Sequence, residues 1–153
     1  MTVRIVRLTE KDWRLFATVR LRALTESLGE NDPQFREEVT FTAARWRRRL
    51  RDHAQFAAVI GNRAVGLIGA QPQNTHTVYL YSLWLDPSAR GLGLARQLVV
   101  AALDWAQRRH ARTVRLRVAV DNTPARTVYE SLGFSPSAES RNRRELAMTL
   151  NVN

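Results

Sequence analysis

The chain has 153 residues, 24 Lys plus Arg against 14 Asp plus Glu, and a formal net charge of +10. That length points to one domain spanning 1–153. The absence of cysteine excludes a disulfide framework, a thiolate nucleophile and a Cys-ligated metal, and fits a cytoplasmic location. Lys11 is the only lysine, so nearly all the positive charge is arginine. A surplus of this size calls for an anionic partner: nucleic acid, an anionic membrane surface or a phosphorylated small molecule. No uncharged apolar run reaches the ~18 residues of a membrane span. Arg4 and Arg7 interrupt the first apolar stretch, where a signal peptide would be uncharged.

In chain order, Val3 to Leu8 reads as a strand. Thr9 to Asp12 has the form of an N-cap with an acid three positions on. A helix follows, with Trp13, Phe16, Val19/Arg20 and Leu24 near helical spacing, and Gly29 to Pro33 breaks it. A second helix covers Ala43 to Arg51, capped by Thr42. Strands Gln55–Ile60 and Ala64–Gln71 are joined by the two-residue turn Gly61-Asn62, a hairpin signal. Pro72 to His76 is a loop, Thr77 to Leu85 an aromatic-rich strand, and Asp86-Pro87-Ser88 ends it. Leu92 to Arg109 is an amphipathic helix, with Leu94, Leu98, Ala101/Ala102 and Trp105 three or four apart. Thr113 to Val120 alternates as a half-buried strand. Thr123 to Leu132 is a helix with Pro124 in its first turn and Gly133 after its end. Glu145 to Leu150 is the last strand. This order indicates a single α/β or α+β domain with a mixed sheet.

The segment from Leu83 through Trp84 and Leu85 to Ala95 takes a strand through a glycine-bearing loop into a helix. Gly91, Leu92, Gly93, Leu94, Ala95 and Arg96 would offer unpaired backbone N–H groups at the positive end of that helix. Such a turn binds phosphate, and Arg90 adds a forked cation beside it. A Walker A loop is excluded because no Gly-Lys-Ser/Thr is present. A dinucleotide fingerprint is excluded because Arg96 stands at its third glycine position. A second constellation runs from Val118 to Phe134. Asn122, Ala125/Arg126 and Tyr129 share one helical face there.

Together the two segments resemble the GNAT superfamily of N-acetyltransferases. Arg90-x-x-Gly93-x-Ala95 matches that family's Arg/Gln-x-x-Gly-x-Gly/Ala acyl-CoA signature, and Asn122, Ala125, Tyr129-Glu130 and Gly133-Phe134 match its second motif. The element order fits from Val3 to Leu150, and the specific motifs cover Leu83 to Phe134. The resemblance implies a twisted, mixed, mostly antiparallel sheet flanked by about four helices, with acetyl-CoA as co-substrate. It implies that Arg90 and the amides of Gly91 to Arg96 hold the pyrophosphate. Leu83, Trp84 and Leu85 would pair with the pantetheine like an added strand, Asn122 and Ala125 would flank its end, and Leu85 N–H would be an oxyanion donor. Tyr129, protonated at neutral pH, would give its proton to the departing sulfur. Homodimers are common in the family.

The acceptor side departs from the family. Many members carry a Glu on the strand before Arg90; Val78 to Leu83 has none, and Tyr79 stands where that Glu is expected. The base candidates are Tyr79 or Tyr81 through water, His76 on the preceding loop, or no dedicated base. Five acids from Glu26 to Glu38 against Arg36 give a local charge of −4; there Glu26 and Glu30 could form a lip attracting an amine. Arg45, Arg47, Arg48, Arg49 and Arg51 surround Trp46, either as a nucleic-acid patch or as the wet side of a helix that buries Trp46 and Leu50. The leading expectation is acetyl transfer from acetyl-CoA to a small-molecule or peptide amine, without metal or membrane. A non-catalytic acyl-CoA sensor and a nucleic-acid module are the alternatives.

Overall fold

The fold is that of a computed structural model describing residues 2–137 and 144–152. Apolar side chains on both faces put two strands at its centre. These are β2 (Ala54–Ile60) and β3 (Arg63–Pro72), each buried along almost its whole length. β1 (Val3–Leu8) pairs with β2, and β4 (Thr77–Leu85) pairs with β3. β5 (Thr113–Ala119), the two-residue β6 (Ser135–Pro136) and β7 (Glu145–Asn151) complete a seven-stranded sheet in the order β1-β2-β3-β4-β5-β7-β6. Every pairing is antiparallel except β4 with β5.

Helices cover both faces. α4 (Leu94–Arg108) lays Leu94, Leu98, Val99, Ala102 and Ala106 on one face against Phe56, Ile68, Leu80 and Leu116. Full burial of each large apolar side chain is worth roughly 1.5–3 kcal/mol. α5 (Thr123–Ser131) adds Tyr129 to this core. The other face carries α1 (Trp13–Leu28), α2 (Pro33–Glu38) and α3 (Ala43–Asp52). There Phe16, Val19, Trp46 and Leu50 meet Leu67 and Trp84. Trp46 and Leu50 are buried, while Arg45 and Arg51 reach out to Glu37 and Glu10 and Arg47 lies over the Trp13 ring. The basic run is therefore the solvated side of a packed helix.

Three features differ from the sequence reading. α2 is a short helix where the sequence suggested only a break at Gly29 to Pro33; Asp32 caps it through Gln34 N–H, and Pro33 fills its first position. α4 begins at Leu94 rather than Leu92 because Gly93, at φ 78°, is left-handed and can only cap the helix. The third is a β-bulge in β4. Tyr81 pairs with Gly69 and Trp84 with Leu67, so one extra residue is inserted, and Ser82 takes φ 56°. The insertion flips the strand's phase. Val78 and Leu80 point into the α4 core before it, and Trp84 points into the opposite core after it.

A buried ion pair holds the bulge. Arg20 Nε and Nη2 donate to Glu38 Oε1 and Oε2 at 3.0 and 3.1 Å, and Arg20 Nη1 donates to Ser82 Oγ at 2.8 Å. Gln34 Nε2 adds a bond to Glu38 Oε2 at 3.0 Å. Burial alone would raise the Glu38 carboxyl; the Arg20 bonds and charge outweigh it and hold it below its ordinary value of 4.5. Removing one partner strands a buried charge. Glu38→Ala should therefore cost about 3–5 kcal/mol in chemical denaturation. A folded-state pKa below the unfolded one means stability present above pH 4.5 and lost as pH falls through the depressed value. Wild type should show that loss, and Glu38→Gln should not.

Candidate active site

β4 and β5 pair only over Thr77 to Tyr79 and Thr113 to Arg115. Beyond that point β4 stays on β3 and β5 stays on β7, and a wedge opens between them. Alternate residues of an antiparallel ladder turn their peptide groups toward the partner. Asp86 N–H donates to Val65 O at 2.8 Å, so Asp86 and Trp84 address β3. Leu83 and Leu85 then turn their N–H and C=O away from β3, into the wedge. Arg90 Nε reaches Leu85 O at 3.2 Å. The bulge leaves this edge of β4 without a strand partner.

A cavity of about 670 Å³ occupies this side. Leu83, Trp84 and Leu85 form one wall; Arg90, Gly91, Gly93, Leu94, Ala95 and Arg96 form the end; Asn122, Ala125 and Val128 form the other wall. The two left-handed glycines, at φ 81° and 78°, turn the chain so that the first N–H groups of α4 open outward. Trp84 carries a buried indole N–H with no acceptor among the described residues. Asn122 Oδ1 accepts from Ala125 N–H at 3.3 Å, so Asn122 caps α5 and lines the cavity together. Arg96 donates to Ser131 Oγ at 2.7 Å and ties α4 to α5. Leu92, 58% exposed, lies outside the lining. A loop of open amides with a flanking arginine, followed by a bare strand edge, fits a phosphorylated ligand with an amide-bearing arm, as CoA is.

A second cavity, about 570 Å³, lies across the bulge among Arg20, Arg49, His53, Tyr79, Tyr81 and Glu145. Tyr79 and Tyr81 stack at 6.5 Å between centroids and 9° between planes. Gly69 makes room for them: a Cβ there would lie 2.5 Å from the Tyr81 ring. Tyr81 Oη lies 2.6 Å from both His53 Nδ1 and Gln55 Nε2. The Gln55 amide can only donate. With the His53 proton on Nε2, Tyr81 accepts from Gln55 and donates to His53 Nδ1, leaving one lone pair of the phenol toward the cavity. Burial pushes both tyrosines above their ordinary value; next in weight, Glu145 also raises Tyr79, while the Gln55 bond lowers Tyr81. Neither ionises by itself at neutral pH. Burial, with Arg49 adding to it, pushes His53 below its ordinary 6.5, which keeps it neutral and able to take a proton.

A third, small cavity lies between the two. It shares Ser27, Leu83 and Trp84 with the first and Arg20, Gln34 and Ser82 with the second. Tyr129, 6% exposed, stands behind the lining, next in sequence to Val128 of the first cavity. Burial is the larger reason its hydroxyl is pushed up.

The sequence model of the Acetyltransferase (GNAT) family matches residues 21–134. The chain belongs to the GNAT family. It is similar to a mycothiol acetyltransferase of Acidothermus cellulolyticus, 46% identical over 55 residues, 36% of this chain and 17% of that protein. It is also similar to N-alpha-acetyltransferase 30 of Saccharomyces cerevisiae, 38% identical over 56 residues, 37% and 32% of the two chains. The chain thus spans a third or less of these relatives. The GNAT fold extends further than the sequence likeness. PaiA N-acetyltransferase from Thermoplasma acidophilum, in complex with coenzyme A, superposes with a TM-score of 0.78 over 99% of both chains at 16% identity. YncA from Salmonella typhimurium, with acetyl-CoA, gives 0.76 over 100% and 95% at 16% identity.

Among the residues singled out from the sequence, Leu83 to Leu85, Arg90, Gly91, Gly93 to Arg96, Asn122 and Ala125 come together in one cavity, and Tyr79 with Tyr81 in the other. His76 does not join them. It sits at the closed end of the wedge, its carbonyl accepting from Arg112 and Thr113, and it lines neither cavity. The acidic lip is not formed either. Glu26 pairs with Arg90 at the end of the first cavity, Asp32 caps α2, Glu37 pairs with Arg45, Glu38 is buried, and exposed Glu30 lines neither cavity. Arginines brought close by folding consume most of the acidic surplus. The sequence did not mark His53, Gln55 or Arg20 as site residues, because what gathers them around Tyr81 and Ser82 is contact with the distant strand β4. Their signal is only a polar residue at a core-facing position, as with Arg20 next to Val19.

Glu26 places a negative charge beside Arg90 at the anion-binding end. Glu26→Gln should tighten CoA binding several-fold, the scale of roughly 1 kcal/mol for a charge pair near 4 Å in water. Arg90→Gln should loosen it by a similar factor. Calorimetric titration with CoA at low salt checks both; weaker binding in Glu26→Gln would contradict the assignment.

Proposed function

We propose that the chain is an acetyl-CoA-dependent N-acetyltransferase in which an amine attacks the acetyl thioester directly. The placement of two cavities on either side of the bulge, with a third sharing walls with both, carries this reading, since a donor and an acceptor can meet there without a covalent enzyme intermediate. The absence of cysteine agrees with it.

The donor's pyrophosphate lies against Arg90 and the first amides of α4, and its pantetheine runs along Leu83 and Leu85 as an added strand. That places the thioester at Ser82. Leu85 N–H, turned into the wedge, donates to the carbonyl oxygen as negative charge gathers on it. Asn122 and Ala125 hold the other side of the arm.

An amine is mainly protonated at neutral pH and must lose a proton before it attacks. Tyr81 accepts that proton on its open lone pair and passes its own to His53 Nδ1. The amine nitrogen bonds to the acetyl carbon, the carbon–sulfur bond breaks, and Tyr129 donates its proton toward the sulfur. Holding two reactants in place supplies much of the acceleration in such transfers. His53 thus takes the part that a strand carboxylate plays in many family members, and Tyr79 frames the cavity as a protonated phenol.

Proton transfer through a positioned side chain is worth roughly 10²–10⁴ in rate. His53→Gln should lower kcat on that order at pH 7 and leave the KM for acetyl-CoA unchanged. In the wild type, kcat/KM should fall as pH drops through the His53 value, which lies below 6.5, because protonated His53 cannot accept. That acid limb should be missing in His53→Gln. The reading itself is tested by thermal unfolding with acetyl-CoA, which stabilises the form it binds, and by CoA release across a panel of amines. No shift and no release would overturn it.

A further inference from the structure

The acceptor cavity is lined by three guanidinium groups, those of Arg20, Arg49 and Arg117, and among the described residues the carboxylates at it are Glu145 and the buried Glu38. Arg20 is satisfied by two bonds to Glu38 and one to Ser82. Arg49 approaches Glu38 only at 4.0 Å, and both oxygens of that carboxylate already serve Arg20 and Gln34. Arg117 has no carboxylate within ion-pair distance among the described residues. Next to Arg49 and His53 a further cavity of about 260 Å³ opens, lined also by Arg45, Arg48 and Asp52. The space that must receive the amine is thus set among cations, the opposite of what a polycationic acceptor needs.

From this arrangement we infer that the acceptor is a small amine carrying an oxyanion, a carboxylate or a phosphate, which Arg49 and Arg117 hold while the amine meets Tyr81. The inference rests on the acetyl-transfer reading above. Arginine forks match either oxyanion in two-point contact. Arg49 lies on the Tyr81 side of the stacked tyrosines and Arg117 on the Tyr79 side, as their charges act on those two phenols. The same cations favour loss of the amine's proton once its own negative group is docked. Glu145, at the rim, is the group left to meet the ammonium on entry.

The test is a CoA-release assay on matched acceptors: amino acids beside their decarboxylated amines and their carboxamides, phosphoethanolamine beside ethanolamine, and spermidine. The oxyanion-bearing members should show kcat/KM at least roughly tenfold above their partners, the scale of a charge-assisted bond. The carboxylate and phosphate arms identify which oxyanion is used. Arg49→Gln or Arg117→Gln should erase that preference by raising the acceptor KM, with the acetyl-CoA KM unchanged. Arg49→Lys keeps the charge and should restore part of it; thermal unfolding of each variant separates loss of fold from loss of binding. Equal or faster turnover of the neutral amines or spermidine would overturn the inference and leave acetyl transfer standing. Binding of acetyl-CoA without release from any oxyanion-bearing amine would also overturn it. Failure to bind acetyl-CoA at all would overturn the transfer reading beneath it.

Discussion

One buried guanidinium organises this molecule. Arg20 sits in the core-facing stripe of α1, where an apolar residue would be ordinary, and its three hydrogen bonds join α1, α2 and β4. A buried ion pair is seldom a net source of stability, because both charges must leave water. Its worth here is geometric. It clamps Ser82, a non-glycine residue in the left-handed region, and so sustains a bulge that would otherwise carry the strain of that conformation. From the bulge follow the shift in strand phase, the parting of β4 from β5, and the bare peptide edge at Leu83 and Leu85.

Charge is distributed along the same line. On one side of the bulge an open helix end and Arg90 make an anion site whose surplus is tempered by Glu26. On the other, three arginines outnumber the carboxylates around a pair of stacked tyrosines. The net charge of +10 therefore has local meaning at a few positions, and several of the remaining arginines are spent on ion pairs or laid over aromatic rings. A helix such as α3 can hold five arginines in seven residues because Trp46 and Leu50 supply its packing and the arginines need only water and a few carboxylates.

Much of the fold could be read from the chain alone because its signals are local. The Gly61-Asn62 hairpin, the apolar stripe of α4 and the capped start of α5 each rest on residues within a few positions of one another. The half of the candidate site at α4 was legible for the same reason, since Leu83 to Arg96 is continuous in sequence. The half around Tyr81, proposed for the acceptor, was not. Arg20, Glu38, His53, Gln55, Tyr81 and Ser82 come from α1, α2, the α3–β2 junction, β2 and β4, and contacts between them span 18 to 62 positions. No periodicity announces a serine in the left-handed region. A −4 segment looks like an acidic surface until folding sets arginines beside Glu26, Glu37 and Glu38.

The most direct measurement is a crystal structure of the protein with CoA bound. The account predicts the pyrophosphate on the amides of Gly91 to Arg96 and on Arg90, and pantetheine amides hydrogen-bonded to Leu83 and Leu85. It predicts the sulfur at the Ser82 bulge, within reach of the Tyr129 hydroxyl and facing the cavity that holds Tyr81. A pantetheine that makes no peptide contact with β4, or a sulfur shut off from the Tyr81 cavity, would contradict it.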